Sequence, residues 1–169
     1  MVTKHSVLWK PLNATARSSE SSGTDAEGIQ RLRMDERAYR ILVVKGDDER
    51  YVASGWELPT HQAFNDAIEA LNRRDIDVHL GDAALKKSRH CIDIAWFVDP
   101  SGNRHELVLG FKTGFHRFAS PTGTQFVTGD LAMGHTALPA TNFDATLAVM
   151  TEVLGFGLSD LMHHQPDPN

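Results

Sequence analysis

An α+β fold is expected from three observations. Two apolar runs, Ile94–Val98 and Leu107–Phe111, flank Asp99-Pro100-Ser101-Gly102-Asn103, where Pro presets φ and Gly supplies a positive φ at little cost; this is a β-hairpin. Phe64, Ala67, Ile68 and Leu71 recur at helical spacing, with Gln62, Asn65, Asp66, Glu69 and Arg73 on the other side, so Thr60–Arg74 is an amphipathic helix with Thr60 placed to cap it. Short apolar, β-branched runs bounded by turn residues lie on both sides of that helix.

Taken in order, the chain opens on a stretch unlike the rest. Asn13–Thr24 is almost all Ser, Thr, Ala and Gly with little apolar periodicity, the composition of a mobile segment. Ile29–Met34 and Ala38–Val44 read as short strands around a turn at Asp35-Glu36. Strand Tyr51–Leu58 is stopped by Pro59, and the helix and a short strand, Asp77–Leu80, follow. Gly81-Asp82 starts a polar, partly helical connection through Arg89. Strands Cys91–Val98 and His105–Gly110 close a strand-helix-strand-strand-strand unit. In the last strand, alternation sends His105 and Leu107 to one face and Glu106 and Val108 to the other, which allows Glu106 to point inward. Between Phe111 and Asp130, Gly114, Pro121, Gly123 and Gly129 among polar residues read as a linker. Beyond it, Met133–Leu138 reads as a strand, Pro139–Phe143 as a turn and Asp144–Val153 as a helix stopped at Leu154-Gly155-Phe156.

The hairpin, written DP-x-GN-x-x-E before an apolar strand, resembles the closing hairpin of a βαβββ module of the vicinal oxygen chelate superfamily. RAYRILVVKGDDERYVASGWEL before it and GDLAMGHTALPATNFDATLAVMTEVLGFGLSD after it are similar to the two-domain, type I extradiol dioxygenases that open catechols such as 2,3-dihydroxybiphenyl. The resemblance implies one complete βαβββ module and two partial ones. Residues 1–24 are then a mobile segment outside the family, and 25–112 a first, non-catalytic domain lacking its opening strand and helix. Residues 113–130 are the linker, 131–160 the start of a second, iron-binding domain, and 161–169 a tail. On this reading the chain is truncated at both ends.

The implied chemistry is insertion of both atoms of O2 into a catechol by Fe(II), held by two histidines and one carboxylate with positions left open for the reactants. Gly134-His135 matches the GH-apolar strand that opens the second domain, which makes His135 the metal-ligand candidate. No catalytic residue is assigned, because the remaining ligands and the acid-base residues of the family lie later in that domain. Glu106 occupies the carboxylate position of the equivalent hairpin in the first domain, where the family holds no iron; read from the residues alone it is a strand glutamate making local hydrogen bonds. His135, Glu106, His163 and His164 together would supply enough donors for a rival metal site, yet adjacent strand residues face opposite ways and a polar tail favours solvation. His5, His61, His79, His90, His105 and His116 show no HxH or HExxH spacing and receive no role. The one cysteine, Cys91, beside His90, reads as small buried packing and excludes an internal disulfide.

At 169 residues, 41% hydrophobic and 23% charged, the composition is that of a soluble globular protein. A formal charge of −5 gives no electrostatic reason to expect nucleic acid or an anionic membrane as partner. No apolar run approaches the roughly 18 residues of a membrane span, and no secretory signal is evident, so a cytoplasmic location is expected. There is no G-x-S-x-G elbow and no phosphate-cradling glycine loop opening a helix. Three functions fit the resemblance: the extradiol dioxygenase, a non-catalytic module binding a small hydrophobic ligand or partner, and, less well, a glyoxalase-like isomerase. Missing strands would leave sheet edges open near Leu107, Val108 and Leu109 and near Thr136, Ala137 and Leu138, from which homo-oligomerisation or aggregation is expected.

Overall fold

The structure is a computed structural model that describes residues 3–10, 21–24, 28–47, 50–128, 133 and 136–160. Among them a single sheet runs through β1 (Thr3–Lys10), β2 (Ser21–Thr24), β3 (Gln30–Leu32), β4 (Ile41–Val43), β5 (Arg50–Leu58), β6 (His79–Leu80), β7 (Asp93–Val98) and β8 (Arg104–Leu109). The spatial order is β2-β3-β4-β1-β5-β8-β7-β6. Read outward from the centre, each half has the same pattern. An opening strand lies parallel to the closing strand of its own half (β1 with β4, β5 with β8), the other strands follow antiparallel, and β1 and β5 join the halves antiparallel.

This pattern corrects two expectations. The first half does not lack its opening strand: β1 supplies it from within the stretch 1–24 expected to be mobile, and β2 comes from the same stretch. A strand paired on both sides draws its stability from those partners more than from its own composition. The expected absence of a helix after β1 falls on residues 11–20, outside the described residues. Leu107, Val108 and Leu109 are not at an open edge either, because β8 lies between β5 and β7; the sheet ends at β2 and β6. At the other expected edge, Met133 is in a turn and residues 136–138 have no regular structure, so among the described residues no strand forms there.

Helix α1 (His61–Asn72) starts where Thr60 Oγ1 accepts from the Ala63 amide at 3.1 Å. Its buried face, Phe64, Ala67 and Leu71, packs on Trp56, Leu58, Phe97, Leu107 and Leu109 of the sheet. Fully burying each large apolar side chain of this kind contributes roughly 1.5–3 kcal/mol. Helix α2 (Ala83–Arg89) is capped by Asp82, whose side chain accepts from Leu85 N at 2.7 Å, and it ends on His90 in the left-handed region at φ 53°. That turn delays the following strand from Cys91 to Asp93. The opposite sheet face carries a second core of Tyr39, Leu42, Ala53, Ile94, Val108 and Phe111. With both faces covered, β8 is buried along most of its length, charged residues included.

Gly110 ends β8 at φ +63°, and a Cβ there would lie 2.5 Å from Ile92 Cδ1, so both the backbone angle and the space require glycine. After the linker, α3 (Phe143–Ala148) continues into a π-helical turn, Val149–Val153. Val149 and Leu154 reach the α1 core, and Phe156 meets the Trp56 ring edge-on at 4.7 Å.

Candidate functional site

The polar residues singled out in β8 are both buried, one on each side of the sheet. Glu106 is 1% exposed and receives hydrogen bonds from two arginines. Arg89, the last residue of α2, donates Nε to Oε2 at 2.8 Å and Nη2 to Oε1 at 3.1 Å. Arg104 donates Nε and Nη2 to Oε1 at 3.2 and 3.1 Å. Three of these four contacts fall on Oε1 and one on Oε2, so two guanidinium cations face one carboxylate. The Arg104 guanidinium also lies 4.1 Å over the Trp96 ring, on which His79 stacks at 4.1 Å. Burial alone would lower the pKa of Arg89, and the Glu106 carboxylate outweighs it and raises it. Glu106 is therefore the centre of a buried ion cluster, and the two guanidinium charges beside it disfavour a metal cation there.

On the other face, His105 is fully buried between two partners. Its Nδ1 accepts from the Trp56 indole N–H at 3.0 Å, and its Nε2 lies 3.2 Å from Asp99 Oδ2. An indole can only donate, so Nδ1 carries the lone pair and Nε2 the proton that goes to Asp99. The ring stacks on Phe97 at 5.2 Å. Neither nitrogen is open to an ion. Asp99 Oδ1 in turn accepts from the backbone amides of Ser101 and Asn103, both at 2.8 Å, which closes the hairpin turn. Beside this network lies a cavity of about 260 Å³ lined by Trp56, Asn103, Leu138, Met150 and Phe156 among others. The Trp56–His105–Asp99 network was not read from the sequence. Its one local signal is Asp99 at the start of the turn; Trp56 is brought in by β5 pairing with β8, Ser54 beside His105.

Cys91 is buried, and burial pushes its thiol up to about 11, so it is an inert packing residue. His135, Gly134, His163 and His164 lie outside the described residues, so of the rival metal constellation only Glu106 is described. Among the described residues no group of three or more His, Cys, Asp or Glu side chains is arranged to hold a metal ion. With Glu106 and His105 consumed by protein partners, the described donors do not fit an iron centre.

Two buried carboxylates predict the acid limit of stability. Burial alone would raise Asp99, but hydrogen bonds from His105 and Asn103 outweigh it and hold the carboxyl below its ordinary value. In the same way Arg40, donating Nε and Nη2 to Asp35 Oδ2 at 2.9 and 2.6 Å, overcomes burial and holds Asp35 low. A depressed folded pKa stabilises the native state above the unfolded value, about 3.9, and that stability is lost as pH falls through the lower folded value. The thermal midpoint is expected to hold down to about pH 5 and to fall steeply below about pH 4, less steeply in Asp99→Asn. A midpoint unchanged to about pH 2 would overturn this.

Two half-sheets of like topology joined at their opening strands are the architecture of the vicinal oxygen chelate superfamily, and comparison with known proteins agrees. The crystal structure of a halotolerant catechol dioxygenase superposes with a TM-score of 0.81 at 22% identity, over 92% of this chain and 55% of that one. In sequence, the chain is 34% identical over 156 residues to the 3-methylcatechol 2,3-dioxygenase of Pseudomonas putida, which is 91% of this chain and 53% of the relative. It is 33% identical over 147 residues to an iron-dependent extradiol dioxygenase of Rhodococcus jostii, 87% of this chain and 49% of the relative. No protein-family model matches. Over about nine-tenths of its length the chain is similar in sequence to extradiol ring-cleavage dioxygenases, and it has the vicinal oxygen chelate fold. It spans about half the length of the curated relatives it matches. No helix among the described residues is long and apolar enough to cross a membrane.

Proposed function

We propose that this chain serves Fe(II)-dependent extradiol cleavage of a catechol, with O2 as co-substrate and 2,3-dihydroxybiphenyl or a methylcatechol as the substrate type. On this reading residues 25–112, together with the strands β1 and β2 that precede them, form a first domain without iron, and 131–160 open the domain that holds it. The observation that carries the proposal is the one-third identity to a 3-methylcatechol dioxygenase across nine-tenths of the chain. The pairing of Glu106 with two arginines and of both His105 nitrogens with protein groups supports the division of labour, in which the metal is left to residues after the linker. His135 is the proposed ligand within this chain, on the Gly134-His135 resemblance.

The test loads the chain with Fe(II) without oxygen, adds 3-methylcatechol or 2,3-dihydroxybiphenyl, and admits air. Fe(II) binding that His135→Ala weakens at least tenfold, and catechol binding that depends on the metal, are the expected results; sustained O2 uptake matched to ring opening would show that this chain supplies the remaining ligands and acid-base residues as well. Metal-independent binding of the same catechols without O2 uptake would overturn it in favour of a non-catalytic module. Undiminished Fe(II) binding by His135→Ala would remove that residue from the site.

A further inference from the structure

The turn Asp99–Asn103 does more than reverse the chain, because its side chains reach a segment far away in sequence. Asn103 Nδ2 donates to Asp99 Oδ2 at 3.0 Å and to the Pro139 carbonyl at 2.8 Å. Ser101 Oγ accepts from the Asn142 amide at 3.0 Å and lies 2.7 Å from Thr146 Oγ1. Asn142 is the residue that starts α3 and makes no side-chain cap of its own, so the turn holds the beginning of that helix from outside.

The donor and acceptor roles along this path are fixed by chemistry. The Trp56 indole only donates, and the Asp99 carboxylate and the Pro139 carbonyl only accept. His105 must then pass one proton toward Asp99, and the Asn103 group facing two acceptors must be its NH2. One continuous arrangement thus runs from the interior of the sheet to the backbone at Pro139. At the far end of the same segment the attachment is apolar, through Val149, Leu154 and Phe156, with an ion pair between Arg74 and Glu152. Apolar contact tolerates sliding, whereas hydrogen bonds of fixed direction set a register.

We infer that Asn103, with Ser101, is a positioning residue: the hairpin turn is a latch that fixes the course of residues 136–146 on the first domain and so the direction in which the chain continues from the linker. The consequence for catalysis rests on the proposed reading that these residues open the iron-binding domain, while the latch itself does not. Asp99 is the joint between the two, since it is held by His105 from below and by its own turn from the side.

Hydrogen exchange on the 169-residue chain, without metal or catechol, tests the latch separately from that reading. Asn103→Ala keeps the Asn103 backbone bond to Asp99 and removes the side-chain N–H donors without placing a second carboxylate beside Asp99. In it, amides from Asn142 to Phe156 are expected to exchange about five- to tenfold faster, the factor by which losing one hydrogen bond shifts a local opening equilibrium, while β5, β7 and β8 exchange as before. Ser101→Ala is expected to act in the same direction at Asn142 and Thr146, and Ser101→Thr, which keeps the hydroxyl, to retain protection. Unchanged exchange of 142–156 in Asn103→Ala would overturn the inference. So would equal acceleration throughout the sheet, because Asn103 would then serve the fold as a whole. Failure of the dioxygenase assay would leave all of these outcomes as they stand.

Discussion

Replacing Glu106 with glutamine is expected to destabilise the protein by about 3–5 kcal/mol, read as a fall in the urea midpoint without a change in slope. The size follows from what is left behind. The Arg89 side chain is only 12% exposed and takes both of its carboxylate contacts from Glu106, and Arg104 takes two more. A neutral amide cannot compensate a buried guanidinium, and its NH2 would face donors. The double variant Arg89→Met with Glu106→Leu removes the more buried of the two guanidinium charges together with the carboxylate and leaves Arg104, whose side chain is 29% exposed, to solvent, so it is expected to recover part of the loss, since apolar replacement of a buried pair is often neutral. A single-variant loss below about 1 kcal/mol would mean that solvent reaches Arg89.

Phe97→Ala is expected to cost a similar amount, about 3–5 kcal/mol, through a different cause. Phe97 is fully buried in β7, belongs to the core under α1 and stacks on His105. Truncation leaves a void that rigid neighbours in a sheet cannot fill, and it removes the ring that keeps His105 in the plane shared with Trp56. Phe115→Ala is the matched control: that ring is 96% exposed, and its loss should stay within about 0.5 kcal/mol. Thermal or urea unfolding of both variants decides it, and equal losses would show that burial of Phe97 is not what holds this core together.

What could be read from the residues was whatever is decided locally. Thr60 capping, the apolar stripe Phe64, Ala67 and Leu71, and the hairpin around Gly102 all depend on neighbours within a few positions, and each is where the spacing put it. The family likeness added the module type. Pairing over long distances was not legible. In Thr3–Lys10 four polar residues precede an apolar run of only three, Val7-Leu8-Trp9, and nothing in them announces that β4 and β5 lie on either side. The same limit hid the partner of Glu106: that it faces away from His105 follows from alternation, but that Arg89 waits there depends on how α2 crosses the sheet. Trp56, His105 and Asp99 come together only once β5, β8 and the turn are in register.

The central position of β1 also sets an order of assembly. Val7 lies beside Ile41 on one side and Ser54 on the other, so β1 pairs with strands that the ribosome makes much later. At roughly 5–20 residues per second, β1 spends a few seconds with no partner while a chaperone or another nascent chain can reach it. Residues 50–110, by contrast, hold β5, α1, β6, β7 and β8 in one continuous stretch whose pairings need nothing from outside it. The β5 edge of that half is the surface on which β1 docks, and through β1 come β4 and β3. The order of the strands across the sheet is thus not the order in which they are made.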